Sequence, residues 1–350
     1  MKKTFLIFFT AVLLVSNSLA GEKSNEPQER DVRTEYKNFK DHHLKDTHAF
    51  KIFYYKKDNK KKYVSFPLPV IIYSQEGVDI FLSSRFYDKN NKLVKHTVGN
   101  RSYEIDSKTE KIKARLLSGE ELEVIDFSVT KNVMLIFICT ILMFYVFTRM
   151  AKSYNKNSIP DGAGRFLEPI VLYIRDDIAR PNIGEKHYKR YMGFLLTVFF
   201  FIWFVNLFGL TPVGSNVTNN IAVTASLAVL TYLITTFTAN KNYWGHIFWM
   251  PGVPTPMKLI LAPIELLGTI IKPFSLMIRL YANMTAGHVV LMSILGLIFV
   301  FQNWIGGTLS FGLAFALCLL ELLVCALQAY IFTMLSALYF GAAVEEHHHE

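Results

Sequence analysis

A charged residue and several polar ones lie inside an apolar segment that runs from about residue 259 to 301. Moving a guanidinium into hydrocarbon costs at least about 2.5–3.5 kcal/mol, so Arg279 is expected to face protein or water. Ser275, Arg279 and Asn283 follow one another at four-residue steps and therefore share one face of a helix. Such a face is typical of a path for ions or substrate through a membrane.

Further polar residues extend this pattern in both directions along the segment. Glu265 and Lys272 precede Arg279 at seven-residue steps and share nearly the same face. His288 lies nine residues beyond Arg279, about half a turn around the helix at roughly 100° per residue. An isolated arginine could simply pair with a neighbouring helix or extend to the membrane surface, but the whole pattern favours an ion path with two polar surfaces at different depths.

Three motifs in this part of the chain resemble one family. Residues 272–287 read KPFSLMIRLYANMTAG, which resembles the signature K-P-x-S-L-x-x-R-L-x-x-N-M-x-A-G of subunit a of the F-type ATP synthase. Residues 327–332 are similar to the L-Q-A-[FY]-I-F of the last helix of that family, and residues 206–212 to its N-L-x-G-L-x-P. The resemblance covers about residues 160–346.

The resemblance implies a function and a set of partners. It implies a proton-translocating stator subunit that forms two offset half-channels against the rotating c-ring and couples proton flow to ATP synthesis. The implied partners are the c-ring, subunit b and other stator subunits, the transported protons and the lipid bilayer. The two last helices would be long, slanting and wrapped against the ring, with Arg279 separating the half-channels.

The last helix is expected to supply two of the proton-handling groups. Gln328 and Glu321 are seven residues apart and share a face. In an antiparallel hairpin that sets Arg279 level with Gln328, His288 falls nearly level with Glu321, about 10–14 Å nearer the outside. In some bacterial members of the family the acid and the histidine stand in exchanged positions, so we expect His288 and Glu321 to act as a proton relay.

Composition and charge place the chain in a membrane. The 350 residues are 51% hydrophobic with a mean hydropathy of +0.27, typical of a membrane chain with an aqueous part. The formal charge of +9 is a sum over unlike regions, so no nucleic-acid binding is predicted. Lysine and arginine predominate over acids between residues 149 and 190, which predicts a cytoplasmic loop there.

The apolar segments predict an all-α polytopic membrane protein. Five spans are expected at about residues 132–148, 191–210, 221–239, 259–301 and 308–344. As one helix, 259–301 would be about 64 Å long against a hydrocarbon core of about 30 Å, and neither long segment carries loop chemistry, so each is expected to be a single tilted helix. Between the first two spans, apolar residues at helical spacing predict an amphipathic helix at about 163–180 on the inner surface; they are Phe166, Ile170, Tyr173 or Ile174, and Ile178.

The N-terminal part is predicted to be exported. Residues 1–20 have the layout of a cleavable signal peptide, although an uncleaved anchor is an alternative. Residues 21–130 would then lie outside, with an unstructured start to about 41 and a small β-rich domain suggested by β-branched and aromatic runs from 49 to 86. The expected localisation is a bacterial inner membrane, with this domain periplasmic and the C-terminus, including the tail 347–350, cytoplasmic.

Several functions are not expected. The chain has no phosphate-binding G-x-x-x-x-G-K-[ST] loop, so it is predicted to be a non-catalytic subunit without a nucleotide site or cofactor. His42, His43, Asp46 and His48 do not form a closed set of metal ligands. Cys139, Cys318 and Cys325 fall in apolar spans and are interpreted as packing residues. The alternatives are a self-contained ion-coupled transporter or channel, and a structural anchor whose exported domain binds a partner.

Overall fold

The structure is a computed structural model that describes residues 45–57, 60–88, 93–106, 109–154, 162–211, 216–250, 253–300 and 304–345. The predicted signal peptide, the stretch that follows it to residue 41, His42, His43 and the tail 347–350 lie outside these ranges. The described chain has small β-sheets in its N-terminal part and is otherwise mostly helical.

The N-terminal part contains nine short strands. They are β1 (Ala49–Lys57), β2 (Lys60–Pro67), β3 (Pro69–Ser74), β4 (Gly77–Leu82), β5 (His96–Val98), β6 (Arg101–Ile105), β7 (Ile112–Leu116), β8 (Glu121–Leu122) and β9 (Val124–Asp126). All pairings are antiparallel, in a β1–β2 hairpin, a β4-β3-β9 sheet and a β5-β6-β7-β8 sheet. The β3–β4 turn leads into Gly77, which takes a φ of +128° that other residues rarely adopt.

A small core with one buried polar cluster holds the two larger sheets together. The core side chains are Val70, Ile72, Phe86, Tyr103, Ile105, Ile112 and Ala114. The Tyr103 hydroxyl donates a hydrogen bond to Asp79, and Arg101 pairs with the same carboxylate at 3.1 Å. Burial and the bond to Asp79 raise the pKa of Tyr103 above its usual range, so the hydroxyl remains a donor.

Among the described residues, the helical part contains five helices that are long and apolar enough to cross a membrane. They are α1 (Lys131–Tyr154), α4 (Tyr188–Gly209), α5 (Ile221–Thr238), α7 (Thr255–Val300) and α8 (Trp304–Val344), with the short helices α2 (Ala163–Tyr173), α3 (Arg180–Ile183) and α6 (Lys241–Phe248) between them. At 46 and 41 residues, α7 and α8 are about 69 Å and 62 Å long. The prediction that each long segment is a single helix is confirmed, and α7 continues through Pro263 and Pro273.

The predicted amphipathic helix at 163–180 corresponds to a helical segment whose type changes along its length. It is regular only over α2, widens into a π-helix over Ile174–Ala179 and ends in α3. Ile174 and Ile178 are fully buried in a cluster with side chains of α4 and α8, while Phe166 and Tyr173 remain exposed. The segment therefore packs its apolar side against protein, with Ile174 rather than Tyr173 facing inward.

The N-terminal part is tied to the start of α1. The Asp46 carboxylate accepts hydrogen bonds from the Thr130 hydroxyl at 3.0 Å and from the Asn132 amide at 3.2 Å. It thus satisfies donors that the first turn of a helix leaves free. Nearby, His48 and Asp126 pair at 3.0 Å. These contacts fix the β-rich part to the end of the first candidate span.

Candidate functional site

The two long helices meet through a polar contact near the middle of α7. The Asn283 amide donates a hydrogen bond to the Gln328 side-chain oxygen at 2.9 Å, and Gln328 is buried. The sequence suggested that Gln328 would be level with Arg279, whereas its bonding partner lies one helical turn further along. The contact between Gly287 and Glu321 lies within one residue of the register that the sequence suggested, so the helices pair close to that register while Gln328 bonds to the turn beyond Arg279.

Arg279 lies half-buried on the same helix. Within the described ranges, no carboxylate lies within ion-pair distance of its guanidinium. Its charge acts on Tyr339 of α8 through space. Ser275, one turn earlier, is exposed on the surface of α7. The structure thus places an arginine without a matching described acid between the long helices, although a buried charge normally pairs with one.

Glu321 and His288 are both buried, and they lie at nearly the same depth along the helix pair. A Cβ at Gly287 would lie 3.1 Å from a Glu321 carboxylate oxygen, so this glycine and Glu321 face each other across the α7–α8 contact. His288 is the next residue on α7, and both it and Glu321 are 4% exposed. Among the described residues, neither Glu321 oxygen has a hydrogen-bond partner. A buried carboxyl of this kind can take up and release a proton.

An asparagine and threonine network touches α7 between Arg279 and His288. Thr218 bonds to Asn206 of α4 at 2.8 Å and to Asn216 at 3.0 Å. The Asn216 amide donates to the backbone oxygen of Met284 at 3.1 Å. Asn206 and Thr218 are fully buried. This network brings polar groups from α4 and from the loop before α5 to the depth of the proposed relay.

The sequence interpretation did not assign these residues to the site. Asn206 is the single asparagine of the apolar span α4, and a polar residue within a span is a signal of function. Asn219 also reaches α7, where it accepts a hydrogen bond from the Thr285 hydroxyl. The contacts with α7 could not be foreseen because they join residues that are more than 60 positions apart.

A second polar group lies on the other side of Arg279. A cavity of about 20 Å³, large enough for one water, is lined by Tyr232, Thr235, Tyr243, Thr269, Lys272, Pro273, Tyr339 and Ala342. Glu265 is half-buried and acts electrostatically on Tyr243 at this end of the helix pair. Lys272 is about 10 Å from Arg279 along α7, and His288 is about 13 Å away in the opposite direction.

The fold and this arrangement define a class of protein. It is a polytopic membrane protein in which one arginine separates two groups of polar residues along a pair of long helices. Among the described residues, no three histidine, cysteine or acidic side chains are grouped to hold a metal ion. The arrangement offers titratable groups, His288, Glu321 and Glu265, on either side of a fixed positive charge.

Comparison with known proteins identifies the family. The family described as ATP synthase A chain matches residues 133–341, so the chain belongs to this family. It is 43% identical over 230 residues to the ATP synthase subunit a of Chloroherpeton thalassium, covering 64% of this chain and 69% of that protein. It is 42% identical over 236 residues to that of an Anaeromyxobacter species, covering 65% of this chain and 57% of that protein.

A third relative and a second domain complete the comparison. The ATP synthase subunit a of Myxococcus xanthus is 40% identical over 229 residues, covering 64% of this chain and 76% of that protein. Residues 39–132 match a separate family described as a domain of unknown function (DUF8433). The boundary between the two matched families falls at the start of α1, where the β-rich part joins the helices.

Proposed function

We propose that this chain is the proton-translocating stator subunit of the F-type ATP synthase membrane sector, where it couples proton flow at the rotating c-ring to ATP synthesis. The observation that carries the proposal is Arg279, which lies half-buried on α7 inside the matched family region and has no described ion-pair partner. Its charge is therefore free to attract a carboxylate supplied by another subunit.

The two polar groups are the two half-channels of this mechanism. The outer half-channel contains His288 and Glu321, and the asparagine network beside them supplies further hydrogen-bonding groups. The inner half-channel runs from Glu265 past the cavity at Lys272 toward Arg279. Support comes from the burial of His288 and Glu321, from the contact of Glu321 with Gly287 and from the separation of the two groups along α7.

Arg279 keeps the half-channels apart and drives exchange with the ring. Its guanidinium remains charged at any accessible pH, so it cannot pass a proton along. A ring carboxylate that arrives beside it is stabilised in the deprotonated form, because a nearby opposite charge lowers the pKa of an acid. The released proton leaves through one half-channel, while the fixed charge repels a proton crossing directly. Asn283 and Gln328 keep the neighbouring turn of the helix pair in place.

The experiment removes or changes this charge. Arg279→Ala should abolish ATP-driven proton pumping while allowing passive proton leak through the joined half-channels, measured as proton flux in vesicles with and without ATP. Arg279→Lys should also fail or nearly fail, because a buried lysine can lose its charge. Arg149→Ala is the matched control, because Arg149 is exposed near the end of α1. This variant should pump protons normally. Coupled pumping by Arg279→Ala would refute the mechanism.

The remaining assignments follow from this function. The chain itself is not catalytic, and nucleotide binding and ATP hydrolysis belong to other subunits. Residues 1–20 act as a signal peptide, 21–130 form an exported domain, 131–346 form the membrane domain and 347–350 form a cytoplasmic tail. The protein lies in the bacterial inner membrane, with the c-ring, subunit b and other stator subunits as partners.

The family match favours this function over a self-contained ion-coupled transporter or channel. It also counts against a purely structural anchor. Copurification distinguishes the three hypotheses, because a stator subunit is recovered together with a ring of small helical hairpins. A chain that transports protons alone, without such a ring, would instead be a transporter.

A further inference from the structure

The β4-β3-β9 sheet carries an apolar face that no described residue covers. The strand register places Leu82 beside Pro69, Ile80 beside Ile71, and Val78 beside Tyr73 on one side of the sheet. On β9 and its continuation, Ile125 and Phe127 lie on the same side. Apart from Ile71, which is half-buried, the large apolar side chains of this face are well exposed, from 51% at Tyr73 to 70% at Ile80.

The opposite side of the same sheet is already used. Val70 and Ile72 are fully buried in the core of the β-rich part, together with the side chains that pack beneath them. In an antiparallel sheet with one face on the core the other face is commonly polar, so an apolar outer face departs from the usual pattern. Contiguous apolar patches of this kind mark interaction sites on proteins or membranes.

The face begins at the level of the first turns of α1, a candidate membrane span. Leu68, next to the start of β3, belongs to a buried cluster with Leu135 and Cys139 of α1. The Val129 amide donates to the backbone oxygen of Pro69, and α1 begins only two residues after Val129. The lowest row of the sheet face therefore lies beside the first turns of a candidate span.

The neighbouring side of α1 is also open and apolar. Phe137, Ile141 and Phe144 are between 58% and 75% exposed, as expected for side chains that face lipid. The sheet face and this side of α1 belong to adjacent elements that share the buried cluster at Leu68. Lipid that surrounds α1 can thus extend to the lower edge of the sheet.

We propose that this sheet face rests on the outer surface of the lipid bilayer, with all three rows of apolar side chains turned toward the lipid. An upright sheet would leave two of the three rows in water, because the interfacial layer of one leaflet is only about 5–7 Å deep. A sheet that lies flat brings every row into the boundary between headgroups and acyl chains, about 5–10 Å deep.

The chemistry of the face favours lipid over a protein partner. Protein interfaces form about one hydrogen bond per 100–200 Å² and are enriched in arginine. On this face the outward positions of the paired rows offer one hydrogen-bonding side chain, the Tyr73 hydroxyl, and no charge. Tyrosine is favoured at the membrane surface, where its ring contacts lipid and its hydroxyl contacts water.

The test uses spin labels on the full chain in the assembled ATP synthase, reconstituted in vesicles. In a variant whose three cysteines are alanine, single cysteines are introduced as Ile80→Cys in the middle row, Val78→Cys in the far row and Leu82→Cys in the near row. Thr97→Cys on β5 is the matched control, because Thr97 is exposed on the other sheet. Collisions with oxygen, which concentrates in lipid, are compared with collisions with a water-soluble nickel chelate.

Lipid contact predicts that the three labels on the sheet face collide more with oxygen and less with the nickel chelate than the label at Thr97. Similar depths at positions 78 and 82 are expected for a sheet that lies flat. Labels at 78 and 80 that match the control would show that the face is in water and overturn the proposal. Protection from both reagents would also overturn it, because the cover would then be protein. The result does not depend on whether the variants pump protons.

Discussion

At the residue scale, Glu321 depends on the glycine that faces it. Gly287 has no side chain, and the Glu321 carboxyl lies next to it. A Cβ at position 287 would be 3.1 Å from a Glu321 carboxyl oxygen. The Glu321 carboxyl is buried, at nearly the same depth along the helix pair as the buried His288. A methyl group at position 287 would therefore move the proton-carrying group without changing its chemistry.

We expect Gly287→Ala to slow proton flow while the protein still assembles. Overpacking costs about 1–3 kcal/mol, and about 1 kcal/mol on the rate-limiting step corresponds to roughly a fivefold lower rate. The rate of ATP-driven proton uptake by vesicles measures this effect. Gly287→Val should slow the flow further, because its side chain is larger.

Gly268→Ala provides the control on the same helix. A Cβ at Gly268 meets no heavy atom within 4 Å, so the change alters only helix propensity. Both variants gain up to about 1 kcal/mol of propensity, and their difference isolates the contact with Glu321. Equal pumping by the two variants would show that the position of Glu321 does not limit proton flow.

The His48–Asp126 pair makes the junction with α1 sensitive to acid. Burial by itself raises the pKa of Asp126, but hydrogen bonds from His48 and Ser128 outweigh it, so the pKa is lowered. A lowered pKa in the folded state stabilises the fold above the unfolded value of about 3.9. That contribution is lost as the pH falls from there through the lower folded value.

Asp126→Asn should therefore reduce thermal stability at neutral pH and weaken its further loss in acid. The midpoint of thermal unfolding between pH 7 and pH 3 measures both effects. Glu121→Gln is the matched control, because its pair with Arg115 is well exposed and contributes little. If Asp126→Asn and the wild type lose stability in parallel as the pH falls, the pair is not the acid-sensitive contact.

At the scale of elements, the C-terminal end of α8 is held between two other segments. The Asn240 backbone amide donates to the Ala343 oxygen at 2.8 Å, and its side-chain amide donates to the Val344 oxygen at 3.1 Å. These bonds satisfy carbonyl groups that the end of a helix leaves free. On the other side, Gly341 meets the backbone of α3 so closely that a Cβ would lie 1.8 Å from the Asn182 oxygen.

Gly341→Ala should separate α8 from α3 and destabilise the protein. The added Cβ would clash with a backbone oxygen, which cannot rotate away as a side chain can. The free energy of unfolding should therefore fall by about 1–3 kcal/mol or more, despite the better helix propensity of alanine. The midpoint of thermal unfolding and the amount of assembled complex measure it. Gly312→Ala on the same helix meets open space and should retain stability or gain up to about 1 kcal/mol of helix propensity. Normal stability of Gly341→Ala would contradict the close approach.

For the whole molecule, the distribution of charge is the basis of the orientation that we propose. Basic residues predominate from 149 to 190, between the first two candidate spans, and the β-rich part precedes the first of them. Basic loops stay on the cytoplasmic side. An odd number of spans then places the β-rich part and the C-terminus on opposite sides of the membrane.

A membrane-impermeant thiol reagent tests this orientation in a variant without the native cysteines. A cysteine at Lys152 should be labelled only after the membrane is opened, and a cysteine at Thr97 should be labelled from outside in intact cells. Labelling of position 152 from the outer side would reverse the assignment of the half-channels. Together the two positions distinguish an inverted protein from an inaccessible one.

The positions of the spans and the importance of the central arginine were predictable from the sequence alone. Length and hydropathy are read directly along the chain, so the five apolar helices and the continuity of the two long ones were predictable, and Arg279 was visible because a charge in an apolar span is costly. The β-rich start was predictable for a similar reason, because strands and turns depend on neighbouring residues.

The side-chain contacts between the two long helices became known from the tertiary structure. The bond between Asn283 and Gln328 and the contact between Gly287 and Glu321 depend on how two helices fit together. Helical spacing predicts which side chains share a face, but the register between helices follows from packing along their whole length. The asparagine network and the widened turn at Ile174–Ala179 depend in the same way on contacts between elements that are distant in the chain.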